Sequence, residues 1–548
     1  MKKWVILNQD RNKRQDAGSE NVLSILLGNR GIKTKKAKEE FLNPKSPYDL
    51  TTKEVGIDPK QLDKAVARIK KAIKNKEKII VYGDYDSDGV CATAILWETL
   101  WNLKADVLPY IPTRDEGYGM KSEKLDNFLK DGVSLVITVD NGIVNYEEVN
   151  YAKKIGLDLI VTDHHSLGRQ KVNAFAVIHT LELCGAGVSW FLANQFKKCD
   201  LDLVTIGTIT DMMPLTGVNR QIVYHGLEHL QKTKRIGLQE LFKTAGIDPL
   251  KIGTYEIGYI IGPRLNAAGR MENPIDALRL VCTFAAEQAR ELAKKLDSQN
   301  RQRQSLMEVM TNQAKEMWLK KKSEDKLIFV SDETWEYGII GLVAGRMVEE
   351  FYKPTVVISR QEQSCRASAR SVNGFNIIEA IRTSCADLLD SHGGHAMAAG
   401  FNVETGKLEE VKNRLVAFAN KNLKSGDLIP SIKIDMELAF SDFTYPLYEE
   451  IQKMAPFGLG NSEPVFTCHQ MIVDNSRTVG QTGKHLTLVL KSPDFDFKIR
   501  AIGFNLGEYF PKISVGKPID IAFNLVADEW NGNQSLQLKI KDINTSNE

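Results

Sequence analysis

Three aspartates spaced two residues apart, Asp84, Asp86 and Asp88, carry the first chemical signal in this sequence. They follow the apolar run Ile79–Tyr82, which predicts a fully buried strand, so the carboxylates would lie on the loop that leaves its C-terminal end. In open α/β sheets that edge is where ligands bind. Taken alone, the same spacing is more typical of an aspartate-rich turn that solvates a loop. The rest of the chain must therefore decide between a site and a turn.

Three later apolar segments also end in acidic or imidazole side chains. They are Leu135–Val139 followed by Asp140, Leu159–Thr162 followed by Asp163, His164 and His165, and Leu203–Ile209 followed after one residue by Asp211. If these segments are neighbours, one edge of the sheet gathers the side chains of Asp86, Asp88, Asp140, His164 and Asp211. Like charges packed that closely repel strongly at low effective dielectric, so the group needs cations to be tolerated. A metal site is the simplest interpretation.

The types of donor indicate which metal the site would hold. Four or more carboxylates with one or two imidazoles and no thiolate suit a hard, roughly octahedral ion, which favours Mn²⁺ or Mg²⁺ over tetrahedral zinc. The donors exceed what one ion needs, so we expect two ions that share a bridging carboxylate. A centre of this kind polarises a phosphoryl oxygen and activates water for in-line attack. Phosphodiester hydrolysis is the reaction class that follows.

The composition of the chain limits its domain number, its mode of binding polyanions and its cellular location. A chain of 548 residues with 43% hydrophobic residues should hold about three or four domains. Lysine plus arginine (72) nearly balances aspartate plus glutamate (70), so any polyanion must be met by a local groove. The N-terminus turns polar at Asn8, too soon for a signal peptide, and no apolar run reaches transmembrane length, so we expect a cytoplasmic protein. The seven cysteines include no C-x-x-C pair, which favours reduced thiols over disulfides or a zinc knuckle.

Alternating strand and helix patterns would position the candidate site. A helix begins near Asp58, and the strands Lys104–Tyr110, Leu135–Val139 and Leu157–Thr162 are short and largely apolar, with helical patterns between them. This alternation predicts a parallel, doubly wound sheet. Residues 276–322 contain no Gly or Pro and predict a long helix. By periodicity alone that helix is either a connector or a coiled-coil interaction helix.

Two further regions complete the expected domain plan. Residues 326–424 again alternate strands and helices, which indicates a second α/β domain. Residues 432–543 contain five short strands with turns at Gly480, Gly483 and Asn531-Gly532, a pattern that suits a small β-barrel. We expect a helical lead-in at residues 1–55, the sheet domain at 56–275, the connecting helix at 276–325, the second α/β domain at 326–425 and the barrel at 430–548.

The sequence resembles a known enzyme family. Asp163-His164-His165, together with the segment Gly83–Gly89, is similar to the signature motifs of the DHH phosphoesterases, and within that family to those of bacterial single-strand-specific DNA exonucleases. Further matching motifs are Asn29–Ile32, Phe41–Pro44, Ile111–Arg114, Glu116–Gly119, Gly262–Met271, Gly338–Arg346, Ser391–His395 and Pro456–Asn461. The resemblance therefore covers nearly the whole chain.

The resemblance implies a fold and an activity. The fold would be α/β, with a parallel-sheet DHH domain, a long connecting helix between two lobes that face each other across a cleft, an α/β DHHA1 domain and a C-terminal OB-fold β-barrel. The activity would be hydrolysis of single-stranded DNA from 5′ to 3′ with release of 5′-mononucleotides, in DNA repair and recombination. The family also implies a monomer that works with a RecQ-type helicase and a single-strand-binding protein.

Carried over residue by residue, the resemblance assigns roles to individual side chains. The metal ligands would be Asp84, Asp86, Asp88, Asp140, His164 and Asp211, with Asp140 as the bridge. Catalytic roles fall to Asp140, to His165, which would face the scissile phosphate, and to Asp163, which would orient a histidine. Contacts to DNA or phosphate are expected from Arg114, Tyr118, Arg264, Asn266, Arg270, Ser368, Arg370 and His395. In the barrel, a cationic groove with stacking faces would be lined by Lys484, His485, Lys498, Arg500, Phe504 and Trp530.

The chain departs from the family pattern at two places, and two other functions stay open. Tyr82 stands where some relatives have a histidine ligand, and residues 177–187 replace a longer Asn-Pro loop, which affects His179. One alternative function is a DHH phosphodiesterase that acts on oligoribonucleotides or cyclic dinucleotides, although the lead-in and barrel argue against it. The other is a silent scaffold of the kind found among replication-helicase relatives, against which the retained ligand set argues.

Overall fold

The structure is a computed structural model that describes residues 2–8, 19–117, 119–168, 170–480, 482–493, 497–530 and 533–545. The chain divides into two compact units. One unit comprises Pro44–Lys421 and Gly458–Gly460, and the other comprises Met1–Asn43, Asn422–Phe457 and Asn461–Glu548. No helix in the described residues combines the length and the apolar character needed to cross a membrane.

A parallel sheet forms the centre of the first α/β domain. The elements up to the end of this sheet are β1 (Lys3–Ile6), α1 (Ser19–Asn29), α2 (Lys35–Leu42), α3 (Pro59–Asn75), β2 (Lys78–Tyr82), α4 (Ser87–Asn102), β3 (Asp106–Tyr110), α5 (Ser122–Lys130), β4 (Val133–Val139), α6 (Tyr146–Lys154), β5 (Asp158–Asp163) and β6 (Ala176–His179). The strands pair in parallel in the order β3-β2-β4-β5-β6. This arrangement confirms the predicted parallel sheet.

Both faces of the sheet are covered, which explains why its strands are apolar throughout. In β2, Ile79 and Val81 join the core on one face, whereas Ile80 and Tyr82 join the core on the other. Parallel strands that are buried on both faces are expected to be nearly continuous apolar runs. The polar residues after each strand therefore stand at the carboxyl edge, where the apolar requirement ends.

Helices follow the sheet and lead to the second domain. They are α7 (Gly185–Ala193), α8 (Asp202–Thr210), α9 (Gly217–Gln231), α10 (Ile236–Ala245), α11 (Thr254–Glu256), a π-helical turn at Ile257–Ile261, α12 (Gly262–Met271), α13 (Ile275–Cys282) and α14 (Ala286–Lys321). The apolar segment Leu203–Ile209, which precedes Asp211, lies in α8 and not in a strand. A short apolar run fits a buried helix as well as a strand. Here the hydroxyls of Thr205 and Thr208 each donate to the carbonyl four residues earlier, which satisfies them within the helix.

The connecting region is not one continuous helix. The run that predicts a helix over residues 276–322 is divided into α13 and α14 by residues 283–285. Thr283 accounts for the break, because its hydroxyl accepts from the Ala285 N–H at 3.2 Å and donates to Gln288 at 2.6 Å. Threonine side chains that bond to nearby backbone compete with helical hydrogen bonding.

The second α/β domain carries a mixed sheet. Its elements are β7 (Ile328–Asp332), α15 (Tyr337–Phe351), β8 (Thr355–Arg360), β9 (Ser364–Arg370), α16 (Ile377–Cys385), β10 (Ser391–His395), β11 (Ala398–Glu404) and α17 (Leu408–Asn422). The strand order is β10-β11-β9-β8-β7, in which β7 and β8 are parallel and the other pairs are antiparallel. Cys365, Ala367 and Ala369 of β9 are buried, so Ser368 and Arg370 lie on its opposite, more accessible face.

The C-terminal part of the chain is a closed β-structure, as predicted. Its elements are β12 (Ser431–Ile434), β13 (Met436–Glu437), α18 (Tyr445–Gln452), β14 (Phe466–Val479), β15 (His485–Lys491), β16 (Lys498–Gly503), β17 (Pro518–Trp530) and β18 (Asn533–Asn544). Strand β14 pairs with both β15 and β17, which closes the sheet into a barrel. Short 3₁₀ turns elsewhere span Pro47–Asp49, Pro249–Lys251, Ala386–Leu388, Thr405–Lys407, Ser425–Leu428, Phe440–Asp442 and Gly507–Lys512.

The N-terminal lead-in is divided between the two units: Met1–Asn43 belong to the barrel unit, whereas residues 44–55 belong to the other unit. The α1 residues Leu26 and Leu27, with Phe41 of α2, share one apolar core with barrel residues. Arg30, at the end of α1, pairs with Asp435 at 3.0 Å and donates to Asn461 at 3.2 Å. Helices α1 and α2 therefore pack against the barrel core.

Replacing Leu27 with alanine is expected to destabilise the barrel unit by about 3 kcal/mol, because a buried leucine is lost and a cavity remains. Leu27 is 1% exposed. Hydrogen exchange of the barrel strands, followed by mass spectrometry, measures the effect. The matched variant Leu7→Ala removes a leucine that is 46% exposed and should change little. Unchanged exchange in Leu27→Ala would contradict the packing of the lead-in on the barrel.

Candidate metal and phosphate site

The loop after β2 delivers two carboxylates to the edge of the sheet. Asp86 caps α4 and accepts a hydrogen bond from the Gly89 N–H at 3.0 Å. Asp88 lies in the first turn of α4 and is 2% exposed. Its two oxygens accept from the N–H groups of Gly185 at 2.7 Å and Ala186 at 3.0 Å, at the start of α7. These backbone donors, at the positive end of the α7 dipole, fix the orientation of Asp88.

Asp140 occupies a constrained turn after β4. Its φ is +65°, a left-handed conformation that non-glycine residues adopt mainly where the surroundings enforce it. The side-chain amide of Asn141 stabilises this turn by donating to the carbonyls of Val139 at 2.9 Å and Tyr82 at 3.3 Å. A Cβ atom on Gly185 would lie 2.5 Å from Asp140 Oδ1, so only glycine permits this approach. The sequence does not single out Asn141 or Gly185 as residues of the site. A signal for Gly185 is the run of small residues Gly185-Ala186-Gly187 at the start of α7.

Asp163 orients the histidines that follow it. Its Oδ1 accepts from His165 Nδ1 at 2.8 Å and from the backbone N–H groups of His164 at 2.7 Å and His165 at 3.0 Å. Its Oδ2 accepts from the Ile143 N–H at 2.8 Å. Both oxygens are thus occupied by protein donors, and Asp163 is fully buried. The geometry is that of an orienting residue behind the donor group.

The structure brings all six predicted ligands together. His164 Nε2 lies 3.1 Å from Asp140 Oδ1, 3.7 Å from Asp211 Oδ2 and 3.9 Å from Asp88 Oδ2. Donor atoms within 4.8 Å of one another form three groups: Asp84, Asp86 and Asp140; Asp88, His164 and Asp211; and Asp140, His164 and His165. Asp211 arrives at the end of α8, where Gly207 makes room because a Cβ there would lie 2.4 Å from Asp88 Oδ1. We call these seven side chains the donor cluster.

Burial and mutual repulsion raise the pKa of four carboxyl groups in the donor cluster. Burial, followed by the charges of neighbouring aspartates, raises the pKa of Asp84 to about 8, of Asp88 to about 6 and of Asp211 to about 9. The same causes raise the pKa of Asp140 well above its ordinary value. Oδ1 of Asp84 and Oδ1 of Asp140 are buried and accept no hydrogen bond. Because buried oxygens without partners are costly, these residues fit hard divalent cations.

The two histidines have opposite electrostatic environments. Burial and the neighbouring His165 lower the pKa of His164 to about 4, so its imidazole is neutral and able to act as a ligand. Burial also opposes the charge on His165, but the hydrogen bond to Asp163 and the nearby carboxylates raise its pKa to about 9. His165 is therefore cationic at neutral pH.

Three arginines gather near the donor cluster. The Arg114 guanidinium lies 4.4 Å from the centre of the Tyr85 ring and donates to the Gly269 carbonyl at 3.2 Å. Arg270 donates to the Gly338 carbonyl at 3.0 Å. Burial and the repulsion of Arg114, Arg303 and Arg370 lower the pKa of Arg270 to about 10, whereas Asp86 opposes this shift. Cations that repel one another in a partly buried site suit an anion such as phosphate.

Arg370 completes this arginine group. It donates to Ser368 Oγ at 3.2 Å and to the Ala369 carbonyl at 2.9 Å. Gly341 leaves room for it, since a Cβ there would lie 3.2 Å from Arg370 Nη2. The hydrogen bonds given above for Arg114, Arg270 and Arg370 go to backbone carbonyls and to the Ser368 hydroxyl, not to carboxylates. We refer to these three residues as the arginine group.

Other predicted contacts have different surroundings. Asn266 Oδ1 accepts from the Ser87 N–H at 2.8 Å, which ties α12 to the loop of the donor cluster. Arg264 pairs with Asp297 at 2.8 Å and donates to the Ile260 carbonyl, so its guanidinium is engaged in structure and does not join the arginine group. His395 ends the exposed edge strand β10. Tyr118 and the side chain of Trp530 lie outside the described residues.

The structure also shows the surroundings of Tyr82 and His179, the residues affected by the two departures from the family pattern. The Tyr82 ring is buried on the sheet face opposite α4, and its hydroxyl donates to the Gly119 carbonyl at 3.1 Å. His179 Nε2 is 2.7 Å from the His165 carbonyl.

In the barrel, Phe504 is 50% exposed, with the His485 ring 5.4 Å away, so it is not a core residue. Lys484, Lys498 and Arg500 are also exposed.

Three family models match this chain. The model of the DHH family N-terminal domain matches residues 78–208, the model of the DHHA1 domain matches residues 324–425, and the model of the RecJ OB domain matches residues 434–542. These matches agree with the predicted fold class.

Curated proteins and solved structures match as well. The chain is 34% identical to the single-stranded-DNA-specific exonuclease RecJ of Bacillus subtilis, over 99% of this chain and 71% of that protein. Its structure is similar to that of RecJ from Thermus thermophilus in complex with Mn²⁺, with a TM-score of 0.84 and 28% identity, covering 100% of this chain and 80% of the other. For the Mg²⁺ complex of RecJ from the same organism the TM-score is 0.78 and the identity 27%, covering 100% and 79%.

The free energy of unfolding of the metal-free protein is expected to fall as the pH rises from 6.5 to 9. In this window the raised pKa values of Asp84, Asp211 and His165 mean that the folded chain holds protons that the unfolded chain has released. Thermal unfolding in a chelator measures this trend. Added Mn²⁺ should raise the melting temperature more at pH 9 than at pH 6.5, because the ligands must be deprotonated. A metal-free protein whose stability rises over this window would contradict the electrostatics described for the donor cluster.

Proposed function

This chain belongs to the RecJ family, and from that premise we propose that it degrades single-stranded DNA from 5′ to 3′ and releases 5′-mononucleotides. The observation that carries the proposal is the donor cluster, in which buried carboxylate oxygens without hydrogen-bond partners meet a neutral imidazole. The similarity to a single-stranded-DNA-specific exonuclease over nearly the whole chain supports the choice of substrate. DNA repair and recombination are the processes that need this activity.

We propose that the donor cluster holds two divalent cations, Mn²⁺ or Mg²⁺. The ligands would be Asp84, Asp86, Asp88, Asp140, His164 and Asp211. Asp140 would serve both ions: it belongs to two of the three donor groups, as His164 does, but only its carboxylate has two oxygens that can bind separate ions. When bound, the ions supply positive charge and Lewis acidity for attack of water on the phosphodiester. The hard oxygen donors and the absence of cysteine from the described donor groups support this choice of metal.

The remaining side chains of the site have roles that do not require a bound ion. His165, held in one orientation by Asp163, presents a cationic imidazole that stabilises negative charge on the scissile phosphate. Arg114, Arg270 and Arg370 bind the 5′-terminal phosphate, with Ser368 accepting from Arg370 and fixing its position. Asn266 holds the loop that carries Asp86 and Asp88. His395 and Tyr118 would contact the first nucleotides.

We also propose roles for the barrel and for protein partners, and a cellular location. The barrel, with the exposed Phe504 and its neighbouring cations, would hold the strand without sequence preference. A helicase of the RecQ type and a single-strand-binding protein would supply and present the substrate, and the enzyme would act as a monomer. All seven cysteines are free thiols, which supports a reducing cytoplasmic location. We also propose the domain boundaries that the sequence predicts, at residues 1–55, 56–275, 276–325, 326–425 and 430–548.

Digestion of end-labelled single-stranded DNA with Mn²⁺ tests the proposed activity. We expect 5′-labelled DNA to release labelled mononucleotides at once and 3′-labelled DNA to release its label last, with blunt duplex resistant. Asp140→Asn should reduce the rate by about 100-fold or more while single-strand binding persists, because a ligand position should matter at least as much as its supporting residues.

The control for Asp140→Asn is Asp106→Asn, which changes an exposed aspartate on β3 and should leave the rate unchanged. Equal attack on duplex, or faster cleavage of dinucleotides than of long strands, would contradict the proposal. Full activity of Asp140→Asn would show that the donor cluster is not the catalytic site.

Arg370→Gln tests recognition of the 5′ end. Loss of charged hydrogen bonds of about 1.5–3 kcal/mol should reduce the preference for 5′-phosphorylated over 5′-hydroxyl strands by about tenfold or more. The measurement is kcat/KM on the two substrates. Arg360→Gln, which replaces an arginine paired with Glu333 at 2.6 Å, should keep the wild-type preference. An unchanged preference in Arg370→Gln would remove Arg370 from the phosphate site.

A further inference from the structure

Two tyrosines outside the predicted site form an exposed aromatic pair. Tyr255 is 61% exposed and Tyr259 is 73% exposed. Their rings are stacked, with centroids 5.1 Å apart and planes 27° apart. A contiguous exposed aromatic patch is a better sign of a binding surface than a single exposed side chain. Neither the donor cluster nor the arginine group uses them.

The pair lies on a helical segment that also contributes to the phosphate site. Helix α11, the π-helical turn and α12 follow one another without a break from Thr254 to Met271. One stripe of this segment is buried and contains Ile257, Ile261, Leu265 and Ala268. The opposite stripe, which we call the accessible stripe, contains the exposed Tyr255 and Tyr259 and the half-buried Asn266 and Arg270. Side chains spaced by four and seven residues share one face of a helix.

The helical segment contacts the elements that carry the donor cluster. Asn266 accepts from the Ser87 N–H within the loop of the donor cluster, and Arg270 belongs to the arginine group. At the other end, a Cβ on Gly258 would lie 3.7 Å from Ile209, two residues before Asp211. From Arg270 to Tyr259 the helix rises about 16 Å, at 1.5 Å per residue. That distance corresponds to a few nucleotides of a single strand.

We propose that Tyr255 and Tyr259 form a stacking platform for bases on the 3′ side of the scissile phosphate. The inference rests on the proposed function, because an enzyme that holds a 5′ phosphate at the arginine group must let the rest of the strand pass beyond the donor cluster. The accessible stripe runs from Arg270 of the arginine group, through Asn266, which contacts the loop of the donor cluster, to the tyrosines, and we take it as the direction of that path. Aromatic stacking accepts any base, which suits an enzyme without sequence preference.

The experiment compares wild type with a Tyr255→Ala/Tyr259→Ala double variant. Stacking on one base is worth about 1–3 kcal/mol, so the double variant should raise KM for long single strands by about fivefold or more. The rate constant kcat should change little, because the variant leaves the donor cluster intact. Tyr255→Phe/Tyr259→Phe keeps the rings and should behave like wild type. Phe284→Ala removes an aromatic side chain that is 77% exposed but lies off the stripe, and should also behave like wild type.

Abasic substrates make the test specific. Strands with a single abasic site at each of the nucleotides two to six from the 5′ end should show a raised KM in wild type at one or two positions. The double alanine variant should show no such dependence, because its platform is absent. Anisotropy of labelled strands without metal should report the same loss of affinity, and circular dichroism checks that the variant is folded.

The outcomes separate this inference from the proposed function. An unchanged KM and affinity in the folded double alanine variant, or an abasic dependence that persists in it, would overturn the platform while leaving the nuclease activity in place. Wild-type protein without nuclease activity would overturn the proposed function. In that case weaker metal-free binding of single strands by the double alanine variant would still support the platform.

Discussion

Repulsion among buried carboxylates is the constraint on which the site depends. Asp84, Asp88 and Asp140 are almost inaccessible to solvent, and Asp86 and Asp211 lie against them. The fold offsets part of this repulsion with backbone N–H groups from α7 on Asp88 and with the cationic His165 nearby. Two carboxylate oxygens still have no hydrogen-bond partner. Divalent cations would remove the remaining penalty, so metal binding and stability of this edge are coupled.

The rest of the first domain can be understood as the means of holding these charges together. Parallel strands bring Asp140 and the two histidines to one edge, and α4 and α8 bring Asp88 and Asp211 from the side. Close approach requires residues without side chains, as at Gly185 and Gly207. The far ends of α4 and α8 are joined by Arg235, which pairs with Glu98 at 2.7 Å and Asp202 at 2.9 Å. A buried network of this kind fixes the spacing of the two helices.

Opposite charges are separated along the site. Carboxylates dominate at the sheet edge, whereas Arg114, Arg270 and Arg370 gather where α12 approaches the second α/β domain. Both regions would match a phosphodiester strand with a terminal phosphate, because the arginines would hold its end and bound metal ions would supply positive charge at the scissile group. The helical segment that links both regions also carries the exposed tyrosines, so one element could align phosphate, reaction centre and bases.

The sequence alone determined the parallel sheet, the second α/β domain, the barrel and the grouping of Asp86, Asp88, Asp140, His164 and Asp211. Those features follow from local patterns, because strands buried on both faces must be apolar and polar residues can resume only at their ends. Only the tertiary structure decided that Leu203–Ile209 is helical, that Thr283 divides the connector, that Arg264 pairs with Asp297 and that α1 and α2 pack on the barrel. Periodicity does not distinguish a short buried strand from a buried helix, nor does it identify the partner of an arginine. The pairing of Arg264 with Asp297 and the packing of α1 and α2 on the barrel depend on contacts between residues far apart in the chain, which form only when the elements pack together. The break at Thr283 comes instead from hydrogen bonds to residues 285 and 288, which compete with the helix.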